Sequence, residues 1–215
     1  MKLLILGASG GCGRWLVKLA AERGHTVRAV VRPETPFETP QEIELIRGNV
    51  LDKKVLEEGI SGCDVVISAL GIKREKPWNP WSDLASPEDL TTRVAKMLVK
   101  LMPQNNIARF VGITAAGVRE SIHSVNPVLR WLILNSNIRV AYKDLANMES
   151  TFEKTPLDWM VVRPVTLKDG APTGKVEMIN HYGLTKSITR GDVAKWMLDS
   201  AEQPVPFSAK TPMIG

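Results

Sequence analysis

The sequence predicts an α/β protein with a doubly wound, mainly parallel sheet flanked by helices. Six short apolar runs are bounded by turn residues, a pattern typical of strands buried on both faces of a parallel sheet. Stretches with helical spacing of apolar residues lie between several of these runs, and this alternation favours right-handed crossovers. The predicted strands are residues 3–6, 27–31, 43–46, 65–70, 110–113 and 159–162.

Two helix starts are predicted from capping residues. Ser86 followed by Pro87 and Asp89 combines an N-cap residue, a first-turn proline and an acid near the positive end of the helix dipole. Thr189 followed by Asp192 repeats the capping pattern before the last helix. The apolar faces of the helices are formed by Leu16, Leu19 and Ala20 in the first one and by Val94, Met97, Leu98 and Leu101 in a later one.

Composition favours one globular domain spanning residues 1–215. Hydrophobic residues make up 44% of the chain and charged residues 24%, which excludes a disordered or fibrous protein. No apolar run approaches the roughly 20 residues that span a bilayer, and Met1 leads directly into a strand rather than a signal peptide, so we expect a cytoplasmic protein without a membrane partner. Cys12 and Cys63 are not spaced like metal ligands or a disulfide framework, so reduced thiols and no metal are expected.

The net charge of +5 does not by itself indicate nucleic-acid binding. Lysines and arginines are scattered among acidic residues, and the sequence has no aromatic-basic stripe or known nucleic-acid motif. A nucleic-acid partner is therefore not expected, and a modest positive field also suits an anionic small molecule. In such a fold, ligands bind at the loops that follow the strands, and the irregular stretches are residues 33–40, 73–81 and 168–173.

A glycine-rich turn between the first strand and the first helix predicts a dinucleotide-binding site of the Rossmann type. Gly7 permits the tight turn, Gly10 lets the backbone approach a pyrophosphate, and Gly13 allows the helix to pack closely on the sheet. The amides at the helix N-terminus then face the phosphates. The alternative, a simple strand-to-helix turn, is less favoured because strand, turn, helix and second strand follow at the expected spacing. The predicted loop residues are Gly7, Ser9, Gly10, Gly11, Cys12 and Gly13.

The end of the second strand favours NADP(H) over NAD(H). NAD sites place a carboxylate about 20 residues after the glycines, where it holds the ribose hydroxyls. Here Arg32 follows Gly13 by 19 residues, and no acid occurs between Gly24 and Arg32. A guanidinium at this place would pair with a 2′-phosphate, with Arg14 as a second candidate donor. The alternative is an exposed arginine at a strand end.

Several motifs together resemble the atypical short-chain dehydrogenase/reductase family, in particular its NmrA-like and biliverdin-reductase-B-like branch. The resemblance spans nearly the whole chain, and the order and spacing of the motifs carry it. Besides the glycine-rich turn, they are Val30-Val31-Arg32-Pro33, Arg47-Gly48-Asn49-Val50, Ser68-Ala69-Leu70-Gly71, Val162-Arg163-Pro164 and Ile188-Thr189-Arg190-Gly191-Asp192-Val193-Ala194.

The resemblance implies further contacts with the cofactor. Asn49 and Val50 match a segment that lies against the adenine, although an Asp is usual at the place of Asn49. Ala69, Leu70 and Gly71 match a strand end that lies along the adenosine ribose; plain strand packing is the alternative. Positions near the nicotinamide are matched by Thr114 and Ala115, and the backbone that meets its carboxamide is matched by Pro164 and Val165.

The catalytic dyad of short-chain dehydrogenases is incomplete in this sequence. The Tyr-x-x-x-Lys motif uses one helical turn to place an ammonium beside the phenol for proton transfer. Tyr142 is present, but the residue four positions later is Ala146, and Lys143 points about 100 degrees away around a helix. The candidate catalytic residues are therefore Thr114 and Tyr142.

Two functions remain open from the sequence. The first is an NADP(H)-binding oxidoreductase that transfers hydride to a small carbonyl, quinone or flavin acceptor. The second is a non-catalytic NADP(H)-binding redox sensor that acts through a protein partner. A third function, an assembly or nucleic-acid-binding protein on the same scaffold, is least favoured because only the net positive charge supports it. Two further features allow more than one interpretation. Cys12 is either a redox-sensitive thiol or a small residue that fits its position. Trp78 and Trp81 cover a ligand, contact a partner or attach a long loop to the core.

Overall fold

The chain alternates strands and helices, and the computed structural model describes residues 1–38 and 42–215. In the first half the elements are β1 (Lys2–Leu6), α1 (Gly11–Glu22), β2 (Thr26–Val31), β3 (Glu44–Arg47), α2 (Lys53–Ile60), β4 (Val65–Ser68) and α3 (Leu90–Gln104). The second half contains β5 (Arg109–Ile113), a 3₁₀ helix (Arg119–Ser124), α4 (Pro127–Leu134), α5 (Ile138–Glu153), β6 (Asp158–Pro164), β7 (Thr166–Lys168), β8 (Ser187–Thr189), α6 (Arg190–Glu202) and β9 (Met213–Ile214).

Seven strands form one parallel sheet in the order β3-β2-β1-β4-β5-β6-β9. The strand β1 is third in this order and lies between β2 and β4, because Leu3 pairs with Val27 of β2 on one side and with Val65 of β4 on the other. The direction of winding reverses between β1 and β4, so a crevice opens there at the carboxyl ends of the strands. The predicted Rossmann-type α/β fold is confirmed.

Helices cover both faces of the sheet. On one face α1 and α6 pack together, and on the other α3 packs against α5 with α2 beside it. Successive residues of β1 point to opposite faces, so Leu3 and Ile5 enter one core cluster while Leu4 and Leu6 enter the other. Burial on both faces explains why the strands appear in the sequence as continuous apolar runs.

All six predicted strands are present, with ends that differ by one or two residues. The largest differences are at β4, which ends at Ser68 rather than at residue 70, and at β6, which continues to Pro164. The strands β7, β8 and β9 were not predicted, because they have two or three residues and form no apolar run of their own. Part of the predicted irregular stretch 33–40 lies outside the described residues.

The structure confirms one predicted helix cap and corrects the other. The Thr189 hydroxyl accepts a hydrogen bond from the Asp192 amide at 3.0 Å, as predicted. Ser86 does not cap α3: the helix begins at Leu90, and the Ser86 hydroxyl accepts from the Lys73 amide at 3.1 Å instead. The cap is supplied by another helix, because the buried carboxylate of Asp144 in α5 accepts from the first-turn amides and hydroxyls of α3.

The Asp144 carboxylate makes four hydrogen bonds at the start of α3. It accepts from the Thr91 and Thr92 amides at 2.9 Å each and from the two hydroxyls at 2.6 Å each. All three residues are buried. Hydrogen bonds to a charged group at a helix N-terminus are among the stronger polar contacts in proteins, so Asp144 fixes the position of α3 against α5.

We expect Asp144→Ala to lower the free energy of unfolding by about 3–4 kcal/mol, because it leaves buried donors without an acceptor. Asp89→Ala is the matched control: Asp89 immediately precedes α3, but its side chain makes no cap hydrogen bond within the described residues, so a change below about 0.5 kcal/mol is expected. Urea unfolding of both variants measures the difference. Equal destabilisation by the two changes would contradict the assignment.

Candidate cofactor site

The turn between β1 and α1 has room for glycine only at two of its positions. Gly7 has φ +77°, and a Cβ there would lie 2.7 Å from the Ala69 carbonyl oxygen. A Cβ on Gly13 would lie 2.1 Å from the Gly7 carbonyl oxygen. At Gly10, by contrast, a Cβ would meet only the Gly7 carbonyl oxygen, at 3.2 Å, among the described residues beyond its chain neighbours, so that side of the turn is otherwise open. A close-packed turn with one open side is the geometry that a bound pyrophosphate requires.

The first turn of α1 presents free amides to this open side. The first helical hydrogen bond runs from the Arg14 amide to the Gly10 carbonyl at 2.9 Å, so the amides of residues 11–13 have no partner within the helix. Among the described residues, no side chain caps them and no acid lies in the first turn. Helix N-termini of this kind bind phosphate groups, and the site fits a dinucleotide.

Most of the predicted cofactor residues line one pocket beside this turn. Its volume is about 190 Å³, below the roughly 300–1,000 Å³ typical of pockets for whole ligands, so it suits one half of a dinucleotide. The predicted residues that line it are Gly7, Ser9, Gly10, Arg32, Asn49, Val50, Ala69, Leu70 and Gly71. Gly11, Cys12 and Gly13 lie next to it in α1, whereas Thr114, Tyr142 and Pro164 lie elsewhere.

Three arginines surround the loop that follows β2. Arg32 is half exposed, and within residues 1–38 and 42–215 its one ion pair is a 3.5 Å contact with Glu34. Arg14 donates weakly to the Pro36 carbonyl at 3.4 Å, and Arg47, at the end of the neighbouring strand, donates to the Thr35 carbonyl at 2.6 Å. The guanidinium of Arg32 is thus free to turn toward a ligand, with two further cations nearby. The sequence analysis assigned no role to Arg47.

Asn49 has one acceptor position occupied already. Its side-chain oxygen accepts from the Leu51 amide at 2.9 Å and closes a local turn. A carbonyl oxygen has two lone pairs, so the expected contact with an adenine amino group retains one of them. Val50, buried next to it, forms part of the apolar wall of the pocket.

Arg190 lies against the glycine turn, although sequence reasoning gave it no role. A Cβ on Gly11 would lie 2.3 Å from Cδ and 2.7 Å from Nε of Arg190, so glycine at position 11 lets this arginine lie directly against the turn. The guanidinium donates to Asp169 at 2.7 Å, but the Asp169 side chain is 94% exposed. Such exposed pairs are weak, so Arg190 can exchange this carboxylate for a phosphate. In the sequence, the only sign of this contact was Gly11, the glycine that directly follows Gly10.

Cys12 is not the reactive thiol that one hypothesis proposed. Burial raises the pKa of the Cys12 thiol to about 11; Arg190 opposes this effect and Asp169 adds to it. A thiol with such a pKa stays protonated at neutral pH and is a poor nucleophile. The alternative hypothesis, a small residue that fits a crowded position, describes its place in the core.

The Thr114 hydroxyl points into a buried polar network. It donates to Glu149 Oε1 at 3.0 Å, and the Glu149 carboxylate also accepts from Arg163 at 2.6 and 3.1 Å. Arg163 continues the network to Glu120 at the surface. A buried charge pair is stable only while its charged atoms keep their hydrogen-bond partners, so the Thr114 hydroxyl serves to stabilise the Glu149–Arg163 pair. Its predicted catalytic role stays a prediction with no supporting contact.

Tyr142 also donates to the protein. Its hydroxyl bonds to the Ala116 carbonyl at 3.0 Å, and Lys143 next to it is exposed, as expected for adjacent residues of α5. Burial, with a smaller effect from Tyr182, raises the pKa of Tyr142 above its ordinary value, while the Arg74 guanidinium opposes the shift. A general acid works best with a pKa near the operating pH, so this environment does not prepare Tyr142 for proton transfer.

The backbone that was expected near the nicotinamide carboxamide is largely engaged. The Pro164 carbonyl accepts from the Ala116 amide at 2.9 Å, and the Val165 amide donates to the Ile214 carbonyl at 3.1 Å. Proline has no amide hydrogen, so the remaining polar group at Pro164 is the second lone pair of its carbonyl oxygen. The predicted contact of Pro164 therefore stays a prediction.

Comparison with known proteins identifies the family. Residues 7–204 match the family model described as NAD(P)H-binding, and the chain belongs to that family. The match begins at the first glycine of the turn and includes every predicted site residue. The resemblance recognised in the sequence is confirmed.

Similar proteins cover the chain almost completely. An uncharacterised chloroplastic protein of Arabidopsis thaliana, At2g34460, is 26% identical over 94% of this chain and 72% of its own length. The chain spans about a third or less of several other curated relatives, such as cinnamoyl-CoA reductase 1 of Petunia hybrida. Among solved structures, ChuY, an anaerobilin reductase of Escherichia coli O157:H7, has a TM-score of 0.76 at 22% identity and covers 100% of this chain and 96% of its own.

One structural neighbour was solved with NADP. It is a short-chain dehydrogenase/reductase of Veillonella parvula, with a TM-score of 0.77 at 16% identity, covering 100% of this chain and 94% of that one. At these identities the likeness concerns the fold. In residues 1–38 and 42–215, no helix has the length and apolar character needed to cross a membrane, and no cluster of three or more metal-ligating side chains occurs.

We expect Arg190→Ala to weaken NADPH and NADH binding by the same factor, about tenfold or more, because the pyrophosphate is common to both. Lys195→Ala is the matched control, since Lys195 lies on the same helix and pairs with Asp199 at 2.7 Å, away from the turn. Calorimetric dissociation constants for both cofactors decide the matter. Unchanged affinities in Arg190→Ala would leave this residue with only its ion pair to Asp169.

Proposed function

We propose that the protein is an NADP(H)-dependent oxidoreductase that transfers hydride to a small acceptor of the carbonyl, quinone or flavin class. The observation that carries the proposal is the convergence of nine predicted residues, with Arg32 among them, on one pocket beside a phosphate-binding turn. Reductases among the relatives and neighbours, including the anaerobilin reductase, support the reaction type. The bound cofactor supplies the hydride.

The preference for NADP(H) rests on the charge at the end of β2. Arg32 lines the pocket, and it lies where NAD-binding proteins carry a carboxylate. Its present contact with Glu34 is long and exposed, so exchange for a 2′-phosphate costs little. Arg14 and Arg47 add positive charge on the same side of the pocket, which further favours the cofactor with the additional phosphate.

We expect Arg32→Ala to weaken NADPH binding by about tenfold to a hundredfold and to leave NADH binding unchanged. Arg32→Asp is expected to invert the preference, because a carboxylate repels the phosphate and accepts from the ribose hydroxyls. Lys100→Ala, at an exposed position of α3, changes the net charge by the same one unit as Arg32→Ala and serves as its control. Dissociation constants at one fixed ionic strength give the affinity ratios.

An identical NADPH to NADH ratio in wild type, Arg32→Ala and Arg32→Asp would remove the support for NADP(H). If only the double change of Arg32 and Arg14 alters the ratio, the two arginines share the phosphate. Together with Arg190→Ala, the series separates recognition of the 2′-phosphate from recognition of the pyrophosphate.

Catalysis in this proposal depends on positioning. The glycine turn would hold the cofactor, and Ala69, Leu70 and Gly71 at the end of β4 would form the wall beside it. Neither Thr114 nor Tyr142 offers a free proton, because both hydroxyls donate within the protein. An acceptor that takes its proton from solvent after hydride transfer, as flavins and quinones do, fits this site better than one that needs a protein acid.

A second candidate function is a redox sensor that binds NADP(H) without turnover. The sensor is favoured because both candidate catalytic hydroxyls already donate internal hydrogen bonds.

We further propose a reducing, cytoplasmic location. It is supported by Cys12 and Cys63, which are both free thiols. They lie in different core clusters on opposite faces of the sheet, so they are separated from each other.

The two functions are separated by NADPH oxidation with a panel of quinones, flavins and aldehydes. Turnover with any of them supports the oxidoreductase, and binding of NADPH without turnover supports the sensor. In the first case we expect Tyr142→Phe to lower kcat by clearly less than the roughly 10²–10⁴-fold that follows loss of a general acid. A larger loss would restore a tyrosine-centred mechanism.

A further inference from the structure

The outward face of α4 is apolar. Val128, Trp131 and Leu134 follow one another at three-residue spacing, and more than half of each side chain is exposed. Ile133, on the opposite side of the same helix, is buried in the core. A surface helix normally turns polar side chains outward, so α4 shows apolar side chains on both faces.

The loop between β4 and α3 extends this apolar face. The Trp81 indole donates to the Asn135 carbonyl at the end of α4 at 3.1 Å, and the Asn137 side chain donates to the Trp81 carbonyl at 3.0 Å. Backbone hydrogen bonds between residues 73 and 85 and between residues 75 and 83 close the loop as a hairpin. Trp78, 80% exposed, lies at the tip of the hairpin. The tryptophan surface is thus formed by Trp78, Trp81, Val128, Trp131 and Leu134.

Basic residues accompany the tryptophan surface. Residues 72–86 and 121–143 contain six lysines and arginines against two acids, Glu75 and Asp83, and no acid occurs anywhere in residues 121–143. These two segments carry a net charge of +4, most of the +5 of the whole chain. Lys76, Arg130 and Arg139 are exposed.

We propose that the tryptophan surface docks onto an anionic lipid bilayer. Tryptophan prefers the membrane–water interface, where its ring is buried and its indole N–H stays near polar groups, and flanking lysines and arginines attract anionic headgroups. A loop tip and a helix that project from the surface are suited to a deformable bilayer. The expectation of no membrane partner was based on the lack of a spanning segment, which says nothing about peripheral docking.

A second copy of the chain fits this surface less well. In a twofold dimer the same patch meets itself, so Arg130 and Lys76 would face the cations of the other copy. In the two segments that form the surface, Glu75 and Asp83 stand against six lysines and arginines, so most of the cations would stay uncompensated. Burying unpaired like charges is costly, whereas an anionic bilayer neutralises them.

Docking would also orient the cofactor pocket. Lys73, Ala85 and Ser86, at the base of the hairpin that carries Trp78, line the pocket. The pocket entrance would then lie beside the bilayer. Because the pocket residues are those expected at the adenosine half of the cofactor, docking would place that half beside the bilayer.

The test uses the full chain and vesicles, without cofactor or acceptor. Cosedimentation with vesicles of phosphatidylcholine alone is compared with vesicles that also contain phosphatidylglycerol, and quenching of tryptophan fluorescence by brominated acyl chains reports insertion. The variants are Trp78→Ser with Trp131→Ser, and Lys76→Glu with Arg130→Glu. The matched controls are Val205→Ser, which is about as exposed as Trp131 but lies beside Arg109 at the amino end of β5, and Lys100→Glu on α3.

We expect binding to the anionic vesicles only, with quenching. The tryptophan pair should reduce the affinity by about tenfold or more, and each lost cation by about fivefold, while both controls bind like wild type. No binding of wild type, or equal binding by the variants and controls, would overturn the proposal. A wild-type dimer in analytical ultracentrifugation that the tryptophan pair dissociates would assign the surface to a second copy instead. NADPH affinity, measured in parallel, tests the proposed function separately.

Discussion

The close approach of α1 to the end of β1 determines how the rest of the cofactor pocket is arranged. The Gly7 carbonyl lies where a Cβ of residue 13 would be, so helix and strand touch through backbone atoms. This contact aims the first-turn amides of α1 at the crevice between β1 and β4, where the winding of the sheet reverses. The turn also lies close to the backbone that follows β4, since a Cβ on Gly7 would lie 2.7 Å from the Ala69 carbonyl oxygen. The ends of β1, β2 and β4 thereby become the walls of one pocket.

Buried charges hold the second half of the site in place. Asp144 joins α5 to the start of α3, and Glu149, one helical turn and a half further along α5, joins it to β5 and β6 through Thr114 and Arg163. Both carboxylates are buried and fully bonded, so α5 cannot shift without breaking charged contacts. The same helix carries Tyr142. The residue that most resembles a catalytic tyrosine is therefore fixed by a rigid scaffold and bonded to a carbonyl, rather than poised for proton transfer.

The sequence allowed the strands, the glycine turn and the end of β2 to be predicted, because each depends on residues that are neighbours in the chain. Alternation of core clusters along β1 and the φ of Gly7 are local properties of this kind. Contacts between distant segments were missed. Asp144 replaces a cap that Ser86 seemed to provide 58 residues earlier, and Arg190 reaches Gly11 from the last helix. Only the packing of α1 against α6 and of α3 against α5 brings these residues together.

The chemistry that this arrangement permits follows from which groups are free and which are committed. Arginines at the pocket keep weak, exchangeable partners: Arg32 a distant glutamate and Arg190 an exposed aspartate. Hydroxyls and carboxylates deeper in the fold, at Thr114, Tyr142 and Glu149, are bonded to one another or to backbone. A site whose free groups are cations recognises phosphates, and a site without a free acid cannot assist a proton. The chain is therefore built to bind and orient an anionic cofactor through exchangeable arginine contacts, while the hydroxyls and carboxylates deeper in the fold keep their internal partners.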